Sequence, residues 1–251
     1  MNLGIPQAEK EPQPRQFVRL LGRHRIDSKI LVLFLFVSAL ALFLAWLGSQ
    51  VLEGDKFGVD RIILRGLRTP ANAAVPVGPH WLLTAMMDLT ALGSVTILTL
   101  ITALAVGFLI ALRKPSTALF VGLAVASGAL LSGTLKQFFF RARPEIVPHL
   151  VQVTSASFPS GHAMNSAFVY LTLATLLARA QQGRLVRIYL MSVAITLTLL
   201  IGISRVYLGV HWPTDVLAGW SAGAIWAAIC SLIEKRLLEQ RQIEGGSPTA
   251  R

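Results

Sequence analysis

Long apolar runs separated by short polar breaks make up most of the chain, at about residues 30–52, 89–112, 117–139, 162–177, 188–203 and 215–233. Four of them approach the ~20 residues that carry a helix across a hydrocarbon core. The runs at 162–177 and 188–203 are shorter, so their ends are expected to tilt or to sit in protein rather than lipid. The pattern predicts an all-α fold, a polytopic membrane bundle of about six transmembrane helices. Residues 1–29 form a polar, basic tail, the bundle domain covers 30–233, and 234–251 form a second tail. A cleaved signal peptide competes for the first run. Its apolar region usually has only ~7–15 residues, however, and this run is longer and follows an unusually long polar leader. An anchored helix is expected.

A long connection joins the first two runs. In it, "GVDRIILRGLR" places Arg61, Arg65 and Arg68 on one helical face and Ile62, Ile63 and Leu67 around the other. This predicts an interfacial segment lying against lipid head groups. An irregular solvated loop rich in Pro70, Pro76 and Pro79 is the alternative.

Composition agrees with a membrane protein. The 251 residues are 54% hydrophobic and 14% charged, against roughly 25% charged in a soluble domain, and the mean hydropathy is +0.63. Disorder and an ordinary cytosolic enzyme are excluded. A net charge of +11 raises the question of a polyanionic partner, which the positions of the charges answer. The connections on the side of both tails hold Arg113, Lys114, Arg179, Arg184 and Arg187 in addition to the tails' own basic residues; the other side keeps Lys56, Arg61, Arg65, Arg68, Lys136, Arg141, Arg143 and Arg205. The positive-inside rule then puts both termini in the cytoplasm and the remaining connections outside the plasma (inner) membrane. The basic surplus is mostly topology, and no nucleic-acid partner is expected. Cys230, the one cysteine, lies in an apolar run and offers neither a disulfide framework nor a thiolate cluster.

Several outer cations lie where ionisable side chains are expensive and mark functional sites. Lys136 precedes "QFFF", Arg143 precedes Pro144, and Arg205 follows the fifth run. Each alone could merely snorkel to head groups. Together, at the outer ends of different spans, they make a site for a multiply charged anion, with Arg suited to bidentate phosphate binding. In "SFPSGHAMNSAF", Ser160 is a natural N-cap for a helix opening at about Gly161, whose first N–H groups face the same side and suit phosphate. His162 stands in its first turn, either as a proton donor or as an interfacial residue. His211 lies four residues before Asp215, with Pro213 at a helix start and Trp212 as its cap. That carboxylate can accept from one imidazole nitrogen and leave the other nucleophilic. A metal site competes for the same residues, but one Asp and two His among several cations would repel a divalent ion. No metal and no cofactor are expected.

The segments "KQFFFRARP", "PSGH" and "SRVYLGVHWPTD" resemble the tripartite signature of the type 2 phosphatidic acid phosphatases, a superfamily shared with vanadium-dependent haloperoxidases. The pattern is Lys, six residues, Arg-Pro; then Pro-Ser-Gly-His; then Ser-Arg, five residues, His, three residues, Asp. Every element is present, at 136–144, 159–162 and 204–215. The resemblance implies a metal-independent phosphatase in which His211 attacks phosphorus, Asp215 orients His211, and His162 protonates the leaving oxygen and then activates water. Lys136, Arg143, Arg205, Ser160 and Gly161 would hold the phosphate oxygens. The expected substrate is a lipid phosphate or pyrophosphate at the outer leaflet: undecaprenyl pyrophosphate, phosphatidic acid or phosphatidylglycerophosphate, with diacylglycerol pyrophosphate and lipid A phosphates as further candidates. A phosphotransferase, a non-catalytic lipid-binding protein and a soluble-type haloperoxidase are the competing functions. Of the remaining residues, His149 could line the pocket mouth, while His80 and Trp81 read as interface anchors. Gly219 and Gly223 could mediate a homodimer or let helices of one protomer pack closely.

Overall fold

The computed structural model describes residues 28–54 and 57–245; most of the N-terminal basic tail and the last six residues lie outside this range. By its contacts the chain divides into two units, Met1–Phe36 and Val37–Arg251. Of the first, the described part is the start of helix α1 (Ser28–Leu52), where Leu31, Val32, Phe34, Leu35 and Phe36 are exposed.

The second unit holds the rest of α1, then α2 (Gly58–Gly66), a two-stranded antiparallel hairpin of β1 (Arg68–Thr69) and β2 (Asn72–Pro76), and α3 (His80–Ala91). There follow α4 (Val95–Ala111), α5 (Pro115–Phe138), α6 (Gly161–Arg179), α7 (Arg184–Tyr207) and α8 (Pro213–Gly245). Helices α1, α5, α7 and α8 are each long and apolar enough to cross a membrane, and α3 and α4, bent by 51° at their break, meet the same criterion only as a pair. Large apolar side chains stay exposed along α4 (Leu100, Leu104, Phe108) and α5 (Leu119, Leu123, Leu130). Contiguous apolar surface of this kind belongs in lipid, and the protein is an integral membrane protein.

The structure refines the expected spans. Helix α6 runs to 19 residues and α7 to 24, longer than their apolar cores, because the helices continue past those cores at both ends, through Arg179 in α6 and from Arg184 to Tyr207 in α7. Helix α6 is less apolar than the others since neighbours enclose it: Ala163, Met164, Ser166, Ala167, Phe168 and Val169 are all buried, so polar side chains there face protein rather than lipid. The second run is not one helix. Gly93 and Ser94 interrupt it, the Ser94 hydroxyl caps α4 by accepting from Ile97 N–H at 3.3 Å, and Tyr170 donates to the Leu92 carbonyl that the break frees, at 2.9 Å.

The 58–79 connection forms the amphipathic helix expected there, followed by a short antiparallel hairpin in place of an irregular loop. Helix α2 exposes Val59, Ile62 and Ile63 and turns Asp60 and Leu64, four residues apart, inward. Arg68 departs from the expected basic face: it lies past the helix, is buried, and donates to the Tyr207 carbonyl at 2.9 Å, at the C-terminal end of α7.

Close packing of α6 on α8 depends on glycine. A Cβ at Gly219 would lie 2.6 Å from the Ser160 carbonyl oxygen, and one at Gly223 would lie 2.5 Å from that of Met164. The two glycines therefore seat α6 within this chain. Tryptophans on α8 fix the neighbouring helices: Trp220 donates to the Thr198 carbonyl of α7 and Trp226 to the Ala124 carbonyl of α5, both at 3.0 Å.

Candidate active site

The C-terminal ends of α5 and α7 and the N-terminal ends of α6 and α8 meet at one end of the bundle, so all three sequence segments converge. A cavity of about 620 Å³ is lined there by Lys136, Arg143, Gly161, His162, Arg205 and His211. Ser160 and Asp215 lie just behind it, fully buried.

Each side chain is held by local structure. Lys136, in the last turn of α5, donates to the Ala156 carbonyl at 2.9 Å. Arg143 is braced by the Ser155 carbonyl at 2.8 Å and the Val210 carbonyl at 2.6 Å; burial lowers its guanidinium pKa, against the pull of Asp215. Arg205 is buried in α7 and donates to the Thr90 hydroxyl at 2.9 Å, while its Nε has no partner. Ser160 stands at the N-cap of α6 but does not cap it: its Oγ is buried and unpartnered. The helix N-terminus at Gly161 and the three cations line the cavity with donors, the arrangement suited to a phosphate group, and the Ser160 hydroxyl lies directly behind them.

His211 is placed by a tight turn. Helix α7 ends with Gly209 at φ 74°, where Gly209 N–H bonds to Val206 O and Val210 N–H to Arg205 O. This Schellman closure needs a left-handed residue, which glycine adopts without penalty. Pro213 then opens α8, and Asp215 turns back so that Oδ2 accepts from the Trp212 N–H at 3.0 Å, as the expected cap position requires. The same Oδ2 receives the Ser157 hydroxyl and faces His211 Nδ1 at 3.4 Å, while Arg143 Nη1 lies 3.2 Å from His211 Nε2. An arginine only donates, so the arrangement fits the tautomer with Nδ1 protonated and the Nε2 lone pair facing the cavity. Burial drives the His211 pKa down to about 4 and Asp215 opposes it, so the imidazole is neutral at ordinary pH.

Residues that sequence reasoning passed over surround this centre. Arg141 is the chief one: Nη1 bonds to Asp215 Oδ1 at 2.5 Å and Nη2 to Asp60 Oδ2 at 3.1 Å. Asp60 also accepts from the Thr214 N–H at 3.0 Å and the Thr214 hydroxyl at 2.6 Å. Burial raises the pKa of this carboxyl, and the Thr214 hydrogen bonds and the charge of Arg141 oppose the rise. Arg141 carried a signal, being inside the first segment beside Arg143. Asp60 carried none, since it lies 81 positions away from Arg141. His149, a possible pocket-mouth residue, contacts the Pro144 carbonyl at 2.7 Å and lines an open recess that shares Val151, Gln152, Val153 and Thr154 with the main cavity. Trp81 is exposed, as an interface anchor would be.

A sequence profile of the PAP2 superfamily matches residues 117–238. The chain is 36% identical over 178 residues to phosphatidylglycerophosphatase B of Bacillus subtilis, an alignment covering 68% of this chain and 85% of that protein. It is 38% identical over 79 residues to an undecaprenyl-diphosphatase of Sulfolobus acidocaldarius, covering 32% of this chain and 34% of the relative. Its fold is similar to the crystal structure of a transmembrane PAP2 type phosphatidylglycerolphosphate phosphatase from Bacillus subtilis. The TM-score is 0.71 at 30% identity, over 80% of this chain and 96% of that one.

Proposed function

The chain belongs to the PAP2 superfamily, and we propose that it is a metal-independent membrane phosphatase acting on a lipid phosphate or lipid pyrophosphate through a phosphohistidine. One observation carries this reading: three cations, a helix N-terminus, His162 and the Nε2 face of His211 share one cavity whose other walls include Leu98, Val125 and Val169. Such a site takes a phosphate at its polar end and a hydrocarbon tail at the other.

In this reading His211 Nε2 attacks phosphorus. The P–N bond forms as the bond to the leaving oxygen breaks, and that oxygen takes a proton from His162. Water that gives its proton to His162 then attacks phosphorus, the P–N bond breaks, and inorganic phosphate leaves. Lys136, Arg143, Arg205, the Ser160 hydroxyl and the Gly161 N–H stabilise the charge on the nonbridging oxygens, the dominant contribution in phosphoryl transfer. Asp215 holds His211 in its reactive tautomer. The relatives are named for phosphatidylglycerophosphate and undecaprenyl diphosphate; those two lipids and phosphatidic acid are the substrates put forward for this chain. The distribution of Lys and Arg between the two sides supports cytoplasmic termini and a site at the outer face.

Phosphate release by detergent-purified protein tests this reading, on those three lipids with lipid A and diacylglycerol pyrophosphate, in EDTA, beside His211→Ala. Release from one or two lipids, abolished in the variant, is expected. Release that requires added metal or survives His211→Ala overturns the mechanism, and no release from any lipid overturns the activity.

A further inference from the structure

Helix α2 lies outside the three signature segments, yet its inward carboxylate bonds to Arg141 and Thr214, which adjoin Asp215. Asp60 is 1% exposed, and both of its oxygens are used: Oδ1 accepts from the Thr214 N–H, and Oδ2 from the Thr214 hydroxyl and from Arg141 Nη2. Arg141 is itself clamped, with Phe57 and Trp212 rings 5.7 and 5.5 Å from its guanidinium and its carbonyl accepting from the Ser157 N–H at 3.0 Å. Its Nη1 reaches Asp215 Oδ1.

A guanidinium left to one carboxylate closes on it with two parallel bonds, which would engage both oxygens. Here Asp60 occupies Nη2, so Arg141 meets Asp215 through Oδ1 alone and leaves Oδ2 to His211, Ser157 and Trp212. We propose that Asp60, acting through Arg141, is a positioning residue for the Asp215–His211 pair, so that the extramembrane helix α2 completes the active site. Loss of the Asp60 charge weakens its hold on Nη2, which then competes with His211 for Oδ2, and the imidazole loses its orientation. The cations that bind phosphate are untouched. The inference rests on the phosphohistidine reading for its catalytic consequence and on geometry alone for its structural one.

The experiment compares full-length wild type, Asp60→Asn, Asp60→Glu and Leu64→Ala in detergent. Leu64 shares the inward face of α2 and is fully buried, so its truncation measures what loosening the helix does by itself. Asp60→Asn is expected to lower kcat on short-chain phosphatidic acid by about 10- to 100-fold, the effect of losing one charged hydrogen bond. KM and inhibition by inorganic phosphate should stay within about threefold, and Asp60→Glu should recover much of the rate. Leu64→Ala should lower the unfolding temperature while keeping kcat within about threefold. Nitrogen-15 NMR of labelled histidines, with the His211 signal assigned by its loss in His211→Ala, should show Nδ1 shifted in Asp60→Asn and not in Leu64→Ala. Unchanged kcat in Asp60→Asn, or an equal kcat loss in Leu64→Ala, overturns the proposal. If wild type releases no phosphate, the phosphatase reading fails instead, and an unchanged Nδ1 signal in Asp60→Asn then overturns the positioning role without reference to turnover.

Discussion

A serine hydroxyl sealed inside a protein without a partner destabilises it by roughly 1–3 kcal/mol, and Ser160 Oγ is such a group beside the cavity. Replacing it therefore separates stability from activity. Ser160→Ala is expected to keep or slightly raise the unfolding temperature, because the side chain makes no cap bond to lose. Under the proposed role of its hydroxyl as a donor to a charged substrate oxygen, phosphate release should fall by about 10- to 100-fold. A melting curve and a rate on one sample check both halves. His211 offers a second separation. Its pKa lies near 4, below the ordinary 6.5, because burial outweighs the attraction of Asp215, with Arg143 and Arg205 adding repulsion. The folded protein thus binds fewer protons at this group than the unfolded chain between pH 6.5 and 4, and its stability declines as the pH falls through that window. An NMR titration of the His211 ring is expected to show its midpoint near 4; a midpoint near 6.5 would mean that the ring is open to water.

Among the elements, α6 and α8 matter most, since their N-termini carry Ser160, His162 and Asp215. Their approach is set at Gly219 and Gly223, where a methyl group would collide with the α6 backbone. Gly223→Ala is expected to cost roughly 1–3 kcal/mol, to lower the unfolding temperature by several degrees and to reduce activity, because α6 shifts against α8. Gly107→Ala in α4 is the control: nothing lies within 4 Å of the added methyl, and alanine favours the helix by up to ~1 kcal/mol. An altered particle mass in Gly223→Ala with unchanged melting would instead place these glycines between protomers. Helix α2 shows what a periodic pattern can and cannot say. The amphipathic segment was legible, but one of its two inward residues is an acid, Asp60, and the reason is a hydrogen-bonding partner on α8 that no local pattern reveals.

For the molecule as a whole, orientation has the clearest consequence. Phe140 is 86% exposed beside the site, so Phe140→Cys in a Cys230→Ala background is expected to react with a membrane-impermeant maleimide on intact cells. Labelling only after disruption would reverse the topology. The apolar runs and the three spaced segments determined, by themselves, that this chain is a helical membrane bundle with His162, His211, Asp215 and three cations at one end. A backbone in hydrocarbon must satisfy its own hydrogen bonds, so a run long enough to span can only be a helix, and alternating spans bring the marked ends together. Tertiary structure alone decided the break at Leu92–Ser94, the burial of Arg68 and the chain of contacts from Asp60 through Arg141 to Asp215. Those features join residues far apart in sequence, where neither periodicity nor spacing operates and only the packing of one helix on another determines which groups meet.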